Sequence, residues 1–267
     1  MIGRATIALI AALVLTGCDD GTRRTHYPDG TLWSEGRVVD GHAEGTWRTF
    51  HPDGSLASEG SYRGGLEHGP WRELAADGTV LAERNYDHGE LSGHWLRCHP
   101  DGRPESLGEF VDGVREGAWV DFFENGTARS RGTFVAGRRH GLWRSFDRDG
   151  RQTGETEFVD GVRHGPFKAF GPSMAVDEGQ YENDRPAGTW TSYYGNGTVR
   201  ATTTFVDGLP HGPAKAYFPD GRLQFAGDFE RGVHVGEWRH WDIDGELNED
   251  ASGVYADGVR VGPLPGP

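Results

Sequence analysis

From Tyr27 onward, apolar and polar residues alternate in short runs separated by glycine, and the pattern returns every 24 residues. The stretch TWRTFHPDGSLASEGSYRGGLEHG, residues 46–69, holds two such runs and two glycine turns. Alternation with period two sends successive side chains to opposite faces and marks a half-buried strand, so each repeat predicts two strands and two tight turns. Three columns of large apolar residues mark the buried face. One is Val38, Tyr62, Tyr86, Phe110, Phe134, Phe158, Tyr181, Phe205, Phe229 and Tyr255. A second is Trp47, Trp71, Trp95, Trp119, Trp143, Phe167, Trp190, Ala214, Trp238 and Leu264. The third runs Phe50, Leu74, Cys98, Phe122, Phe146, Phe170, Tyr193, Tyr217 and Trp241. One hairpin could not hold itself together in water. Stacked hairpins would set like aromatics beside one another across strands, each pair contributing roughly 0.2–1 kcal/mol.

The turns carry the same period. Asp-Gly and Asn-Gly suit a two-residue type I′ turn, whose central positions both need positive φ. Their glycines are Gly30, Gly54, Gly78, Gly102, Gly126, Gly150, Gly197, Gly221 and Gly245, with a gap near Met174. A second turn follows at Gly41, Gly65, Gly89, Gly113, Gly137, Gly161, Gly208, Gly232 and Gly258, with a gap at Asp184. This gives ten repeats, from Tyr27 to the C-terminus. Repeat seven lacks both turn glycines, which predicts a local kink or looser packing. Repeat ten has two extra residues between its turns, and its proline-rich tail from Pro263 to Pro267 offers few donors and would cap an open sheet edge.

A fixed period of this length points to a quasi-one-dimensional array rather than one or two globular domains. Composition agrees: 43 glycines, two methionines and a hydrophobic fraction of 35% in 267 residues suit repeated thin layers better than one thick core. Two strands per repeat at about 4.8 Å separation predict an all-β ribbon on the order of 95 Å long.

Residues 1–20 read differently. Arg4, an apolar run from Ala5 to Leu15 and small residues before Cys18 describe a targeting segment, too short in its apolar part to span a bilayer. The quartet Leu15-Thr16-Gly17-Cys18 resembles the lipobox of bacterial lipoproteins. That resemblance implies cleavage after residue 17 and lipidation of the Cys18 sulfur; several acyl chains, at about 0.8 kcal/mol per buried methylene, would anchor the protein. Asp19 resembles an inner-membrane retention signal of enterobacterial lipoproteins, a rule that differs between lineages and leaves the choice of membrane open. Residues 18–26 would then be the lipidated cysteine and a short polar tether, holding the array close to the membrane surface. With Cys18 used, only Cys98 remains and no internal disulfide can form. Cys98 occupies a column of large hydrophobes and reads as a small core residue.

The pattern Y-x-[DN]-G-x-L-x-x-E-G-x-Y-x-x-G-x-x-x-G-x-W-x-x-[FY], recurring some ten times over residues 27–267, resembles the MORN repeat in the longer variant common in bacterial proteins. The resemblance implies a ribbon of stacked antiparallel β-hairpins and a non-enzymatic role in holding proteins or membranes; some proteins with this variant carry an antitoxin label.

Candidate chemistry is sparse. His68, His140, His164 and His211 form a ladder, but neighbours one repeat apart lie about 9–10 Å from each other, while zinc needs each nitrogen at about 2.0–2.1 Å. One column therefore cannot form a site, and no metal site is expected. His94 and His99 near Cys98 are a second grouping, in which His99, like His51, precedes Pro-Asp-Gly and reads as a turn residue. Asp40, Asp112, Asp160, Asp207 and Asp257 each precede a turn glycine and read as turn formers, without the ligand spacing of calcium loops. No nucleophile elbow, phosphate loop or dinucleotide fingerprint occurs, and acid–base catalysis needs a singular pair in a cleft; no catalytic residue and no cofactor are expected.

Charge narrows the partners. The net charge is −14, and without residues 1–17 there remain 26 basic against 41 acidic residues, a net of −15. Nucleic acid and anionic lipid surfaces would be repelled. The expectation is a lipoprotein of the bacterial cell envelope, anchored at the membrane and facing the periplasm or exterior, whose ribbon scaffolds another envelope protein. Direct phospholipid recognition and antitoxin-like binding are the alternatives, and self-association through open sheet ends stays open.

Overall fold

The computed structural model describes residues 16–17, 21–171 and 175–266. Among them there is no helix. The chain divides into two compact units, residues 1–127 and 128–267. Strands of the first run Thr16–Gly17, Thr22–His26, Leu32–Val39, His42–Phe50, Leu56–Arg63, Leu66–Glu67, Gly69–Leu74, Val80–Asp87, Glu90–Cys98, Pro104–Val111 and Val114–Phe122. Those of the second run Ala128–Val135, Arg138–Phe146, Gln152–Val159, Val162–Phe170, Ala175–Glu182, Arg185–Tyr193, Val199–Val206, Leu209–Tyr217, Leu223–Glu230, Val233–His240, Gly253–Ala256 and Val259–Gly262. Within each unit, chain neighbours pair antiparallel in the order they leave the sequence. Each unit is thus the stack of hairpins that the 24-residue period predicts.

The first turn family does not take the type I′ form expected of it. At Gly54, positive φ falls on the glycine alone (85°); Gly54 N donates to the His51 carbonyl at 2.9 Å and His51 N to the Ser55 carbonyl at 2.8 Å. This is a type I turn followed by a left-handed glycine, which forms a bulge. Proline at residue 52 fixes the first turn position, and the Asp53 carboxylate accepts from Ser55 N at 2.9 Å and Ser55 Oγ at 2.6 Å. Those bonds hold the Asp53 carboxyl below its ordinary range. The two-residue type I′ turn sits instead in the second family, where Asp40 and Gly41 both have positive φ (49° and 81°), as do Asp112 and Gly113 (47° and 74°). Correcting the expectation, the first family of glycines makes bulged three-residue loops, because a proline or other residue ahead of Asp-Gly lengthens the connection.

Repeat seven keeps its second turn without glycine. Asn183 and Asp184 themselves adopt φ of 51° and 65°, and Arg163 grips Asp184 through its backbone N and its guanidinium. Strand Ala175–Glu182 pairs along both sides with bulges at the positions seen in other repeats. Pairing therefore continues through these strands: Asn and Asp tolerate left-handed φ better than other non-glycine residues, and the Arg163 bonds hold the turn. Ala136 occupies the equivalent position at φ 48° with no such chemistry in its side chain. Ala136→Gly is expected to stabilise the protein by about 1 kcal/mol, read as a rise in the denaturation midpoint.

Residues 22–26, read from sequence as tether, form a strand paired with Leu32–Val39. Gly21 has φ 76°, matching Gly45 at 71° one period later. Thr25 Oγ meets Ser34 Oγ at 2.5 Å as Thr49 Oγ meets Ser58 Oγ at 2.6 Å. Half a repeat therefore precedes Tyr27. At the other end, Arg260 donates to the Ser252 and Glu249 carbonyls at 2.9 and 3.1 Å, tying the two-residue insertion of repeat ten to the last strand.

One face of each unit carries the aromatic ladder. In the first unit Trp47, Tyr62, Trp71 and Tyr86 meet edge to face with ring centres 5.9, 5.1 and 6.4 Å apart, and Trp95, Phe110 and Trp119 follow at 5.2 and 5.4 Å. In the second unit Phe134, Trp143 and Phe158 are linked at 5.1 and 6.5 Å, and Tyr181, Trp190 and Phe205 at 5.1 and 6.2 Å. Edge-to-face contact sets the positive ring edge against a negative ring face.

Six of the indoles, Trp47, Trp71, Trp119, Trp143, Trp190 and Trp238, also lie against a glycine. A Cβ added at Gly60 would be 1.9 Å from Trp71, and Cβ atoms at Gly36, Gly108, Gly132, Gly179 and Gly227 would fall 2.1–2.4 Å from Trp47, Trp119, Trp143, Trp190 and Trp238. From that seat the indole nitrogen reaches the carbonyl of the next residue: Trp71 to Ser61 at 3.1 Å, Trp143 to Thr133 at 3.1 Å, Trp238 to Asp228 at 3.0 Å. The exceptions follow the same rule. Arg84 stands where the glycine would be opposite Trp95, and there the guanidinium lies over the indole at 5.4 Å while Trp95 donates to Ser106 Oγ. Thr156 faces the smaller Phe167 and Thr203 faces Ala214.

Candidate interaction surface

The opposite face is mostly polar and carries ladders of ion pairs, interrupted where Leu96, Leu107 and Val120 pair across strands. Arg24, Glu35, Arg48, Glu59 and Arg72 alternate across successive strands, with contacts of 3.2, 3.9, 2.6 and 3.6 Å. Arg144 with Glu155 at 3.0 Å, and Lys168 with Glu178 at 3.7 Å, repeat the arrangement in the second unit. A cavity of about 430 Å³ opens on this face between Glu59, Ser61, Arg72, Glu83, Asn85 and His94. Its guanidinium groups already have carboxylate partners, Arg72 with Glu59 at 3.6 Å and Arg84 with Glu73 at 2.6 Å.

The edge formed by the type I′ turns is different. The residues on either side of each turn are directly paired: Val111 with Val114, Val159 with Val162, Val206 with Leu209. In the first unit Val39, Leu66, Val111 and Val114 are exposed on this edge; in the second, Val135, Val159, Val206, Leu209, Val233 and Val259 are. Val111 and Val206 leave 51% and 50% of their surface open. Single exposed hydrophobes are ordinary, but here they recur at most of these turns, interrupted where Asp87 with Glu90 and Glu182 with Arg185 take the flanking positions, and grouped apolar surface marks contact sites. The opposite edge, with Pro52, Asp53 and Gly54 and their equivalents, has no such column.

The residues picked out from sequence fall as follows. Trp119, Trp143 and Trp238 are buried at 2%, 5% and 2% exposure, and Phe110 and Phe134 are buried beside them. Trp71, Trp95, Trp190 and Tyr62 are half-buried in the same ladder, and Trp47 is also half-buried there. The nine Asp-Gly or Asn-Gly glycines, Gly30 through Gly245, all have positive φ at the bulged loops. Cys18 lies outside the described residues. Cys98 is buried and free, and burial pushes its thiol up, with the Glu83 and Asp101 carboxylates adding to the effect; a thiol so placed is inert. His94 turns toward Glu83 at 3.9 Å rather than joining Cys98 and His99. Asp40, Asp112, Asp160, Asp207 and Asp257 sit in type I′ turns at φ of 47–52°. The apolar turn edge was missed, although Val-Asp-Gly recurs, followed directly by Val114, Val162 and Leu209 in three of its four copies; without the turn type, nothing assigned those residues to one edge.

No curated protein matches the sequence. Among solved structures, a S. aureus TarM mutant in complex with fondaparinux, α-GlcNAc-glycerol and UDP is similar at 9% identity over 36% of this chain and 19% of that one, with a TM-score of 0.26. TcdB2-TccC3 is similar at 9% identity over 85% of this chain and 13% of that one, with a TM-score of 0.20. A Photorhabdus luminescens Tc holotoxin pore with a TccC3 mutation gives 9% identity, 89% and 15% coverage and a TM-score of 0.16. This chain thus spans less than a fifth of each, and at such scores the likenesses carry no argument. The family comparisons are more specific. The model of the MORN repeat variant matches residues 43–63 and 187–207, that of the MORN repeat matches residues 131–142 and 204–221, and the chain therefore carries MORN-type repeats in both of its units.

Proposed function

We propose that the protein is a non-catalytic repeat scaffold that binds a partner protein along its type I′ turn edge, anchored in the bacterial cell envelope through Cys18. The observation that carries this reading is the exposed column Val135, Val159, Val206, Leu209, Val233 and Val259 in one unit and its counterpart Val39, Leu66, Val111 and Val114 in the other. Apolar side chains that recur along the turn edge of each unit suit a protein partner laid across several repeats, as repeat arrays bind along their length. On the opposite face many of the charged groups pair with one another rather than converge on a cleft, which favours a non-catalytic role. A phospholipid surface is the competing occupant of the apolar edge, and the net charge of −14 opposes it wherever the lipid is anionic.

Vesicle flotation with residues 19–267 separates these occupants. The scaffold reading expects the protein to remain at the bottom of the gradient with neutral and with anionic vesicles at low and moderate salt. Flotation that is lost in Val206→Glu/Leu209→Glu would assign the edge to membrane instead. For the anchor, Cys18→Ser is expected to move the full-length protein from the membrane to the soluble fraction; membrane retention of that variant would refute lipidation as the attachment.

A further inference from the structure

We propose that His68, Asp87 and His88 form a binding site for a zinc-class divalent transition-metal cation. The three side chains come from consecutive turns of the array. His68 leaves the strand between Leu66–Glu67 and Gly69–Leu74, where its backbone N is held by the Ser61 carbonyl at 2.8 Å. Asp87 and His88 lie at the next type I′ turn, His88 at φ 49°. That a side chain in the His68 position reaches the following turn is shown one repeat earlier, where Glu44 Oε2 accepts from Gly64 N at 2.8 Å.

The donor atoms converge. His68 Nδ1 is 3.3 Å and His88 Nδ1 2.8 Å from the same Asp87 oxygen, and the ligand atoms of all three lie within 4.8 Å of one another. A zinc ion about 2.0–2.1 Å from each donor in tetrahedral geometry sets donors about 3.3–3.4 Å apart, so the His68–Asp87 separation already matches and His88 needs only small rotations. His68 Nδ1 is buried and makes no aligned hydrogen bond in spite of that 3.3 Å approach. A buried imidazole nitrogen without a hydrogen bond, beside a carboxylate oxygen, is a ready ligand atom for a cation.

Sequence context sets the cluster apart. The two residues before the turn glycine are Val-Asp at 39–40, 111–112, 159–160 and 206–207, but Asp-His at 87–88. Of the four histidines in the His68 column, His140, His164 and His211 face Val159-Asp160, Glu182-Asn183 and Glu230-Arg231 in the corresponding turns, so a second imidazole is supplied only to His68. The Glu67 carboxylate lies beside Gly89 and adds negative potential. Two imidazoles with one carboxylate select zinc, nickel, copper or ferrous iron over magnesium and calcium, which prefer all-oxygen sites. Asp87 and His88 are exposed, so a cation reaches the site from solvent and keeps water at its open position.

The test is calorimetric titration of the full chain with Zn²⁺, with Mg²⁺ as the comparison cation. His68→Ser and His88→Asn substitute residues that the array itself uses at these positions, Ser92 and Asn183; His140→Ser is the control in the same column. One high-affinity equivalent of Zn²⁺ is expected, weakened at least tenfold by His68→Ser and by His88→Asn and unchanged by His140→Ser, with the metal-free melting temperatures of all three within a few degrees of wild type. Substitution of Co²⁺ should give the visible absorption of a tetrahedral site in wild type and in His140→Ser alone. Zinc binding that survives both His68→Ser and His88→Asn, or that His140→Ser weakens equally, overturns the assignment.

Discussion

Trp119→Ala is expected to lower stability by about 3–5 kcal/mol, a larger loss than Trp95→Ala on the same column. Trp119 is 2% exposed, seated on Gly108, with Phe110 edge-on at 5.4 Å and the Arg115 guanidinium over its ring at 4.5 Å. Removing the indole leaves a void bounded by backbone that cannot collapse, and orphans the Glu109 and Glu116 carbonyls that its nitrogen reaches at 3.2 Å. Trp95 has Arg84 rather than glycine opposite it and is half-buried, so solvent and the long arginine side chain can fill its place. Denaturant midpoints of the two variants in the full chain check the order; equal losses would mean that the glycine seat contributes nothing.

The second large effect comes from the other side of the same contact. Gly60→Thr is expected to destabilise by about 1–3 kcal/mol or more, because its Cβ would fall 1.9 Å from the Trp71 ring and overpacking forces side chains off their rotamers. Trp71→Phe is expected to destabilise as well, through lost area and the lost bond to the Ser61 carbonyl. Together the two substitutions recreate the Thr156–Phe167 pair that the protein already uses. The double variant is expected to lose less than the sum of the singles by about 0.5–3 kcal/mol. Strict additivity in the four denaturation curves would show that indole and glycine do not depend on each other.

Why the strands and their faces could be read from residues while other features could not is a matter of which signals repeat. Tyr62 and Trp71 recur at period 24 with alternating neighbours, and that alone places hairpins and the aromatic face. Arg23 and His26 stand where later repeats have tryptophan and phenylalanine, so the strand 22–26 had no aromatic signal; Gly21, Arg24 and Thr25 in register with Gly45, Arg48 and Thr49 were the evidence for it. Turn type was misassigned because Asp-Gly occurs in both turn families, and what separates them is the residue ahead of it: Pro52 before Asp53-Gly54, Val39 before Asp40-Gly41. That distinction also fixes which edge carries Val206 and Leu209. His68 was judged only against histidines of its own column, about 9–10 Å away by strand spacing; its neighbours in space, Asp87 and His88, belong to other columns and become neighbours through the turn.

Site-specific photo-cross-linking reads out what touches the type I′ turn edge, with the reactive group placed in the full chain at Val206 or Leu209, and at Lys168 on the polar face for comparison. A discrete protein adduct is expected from both edge positions in native membranes, absent from Lys168 and abolished by charged substitutions elsewhere on the edge, such as Val159→Glu. Adducts to lipid alone from the edge, or the same protein adduct from Lys168, would show that this edge does not bind a protein.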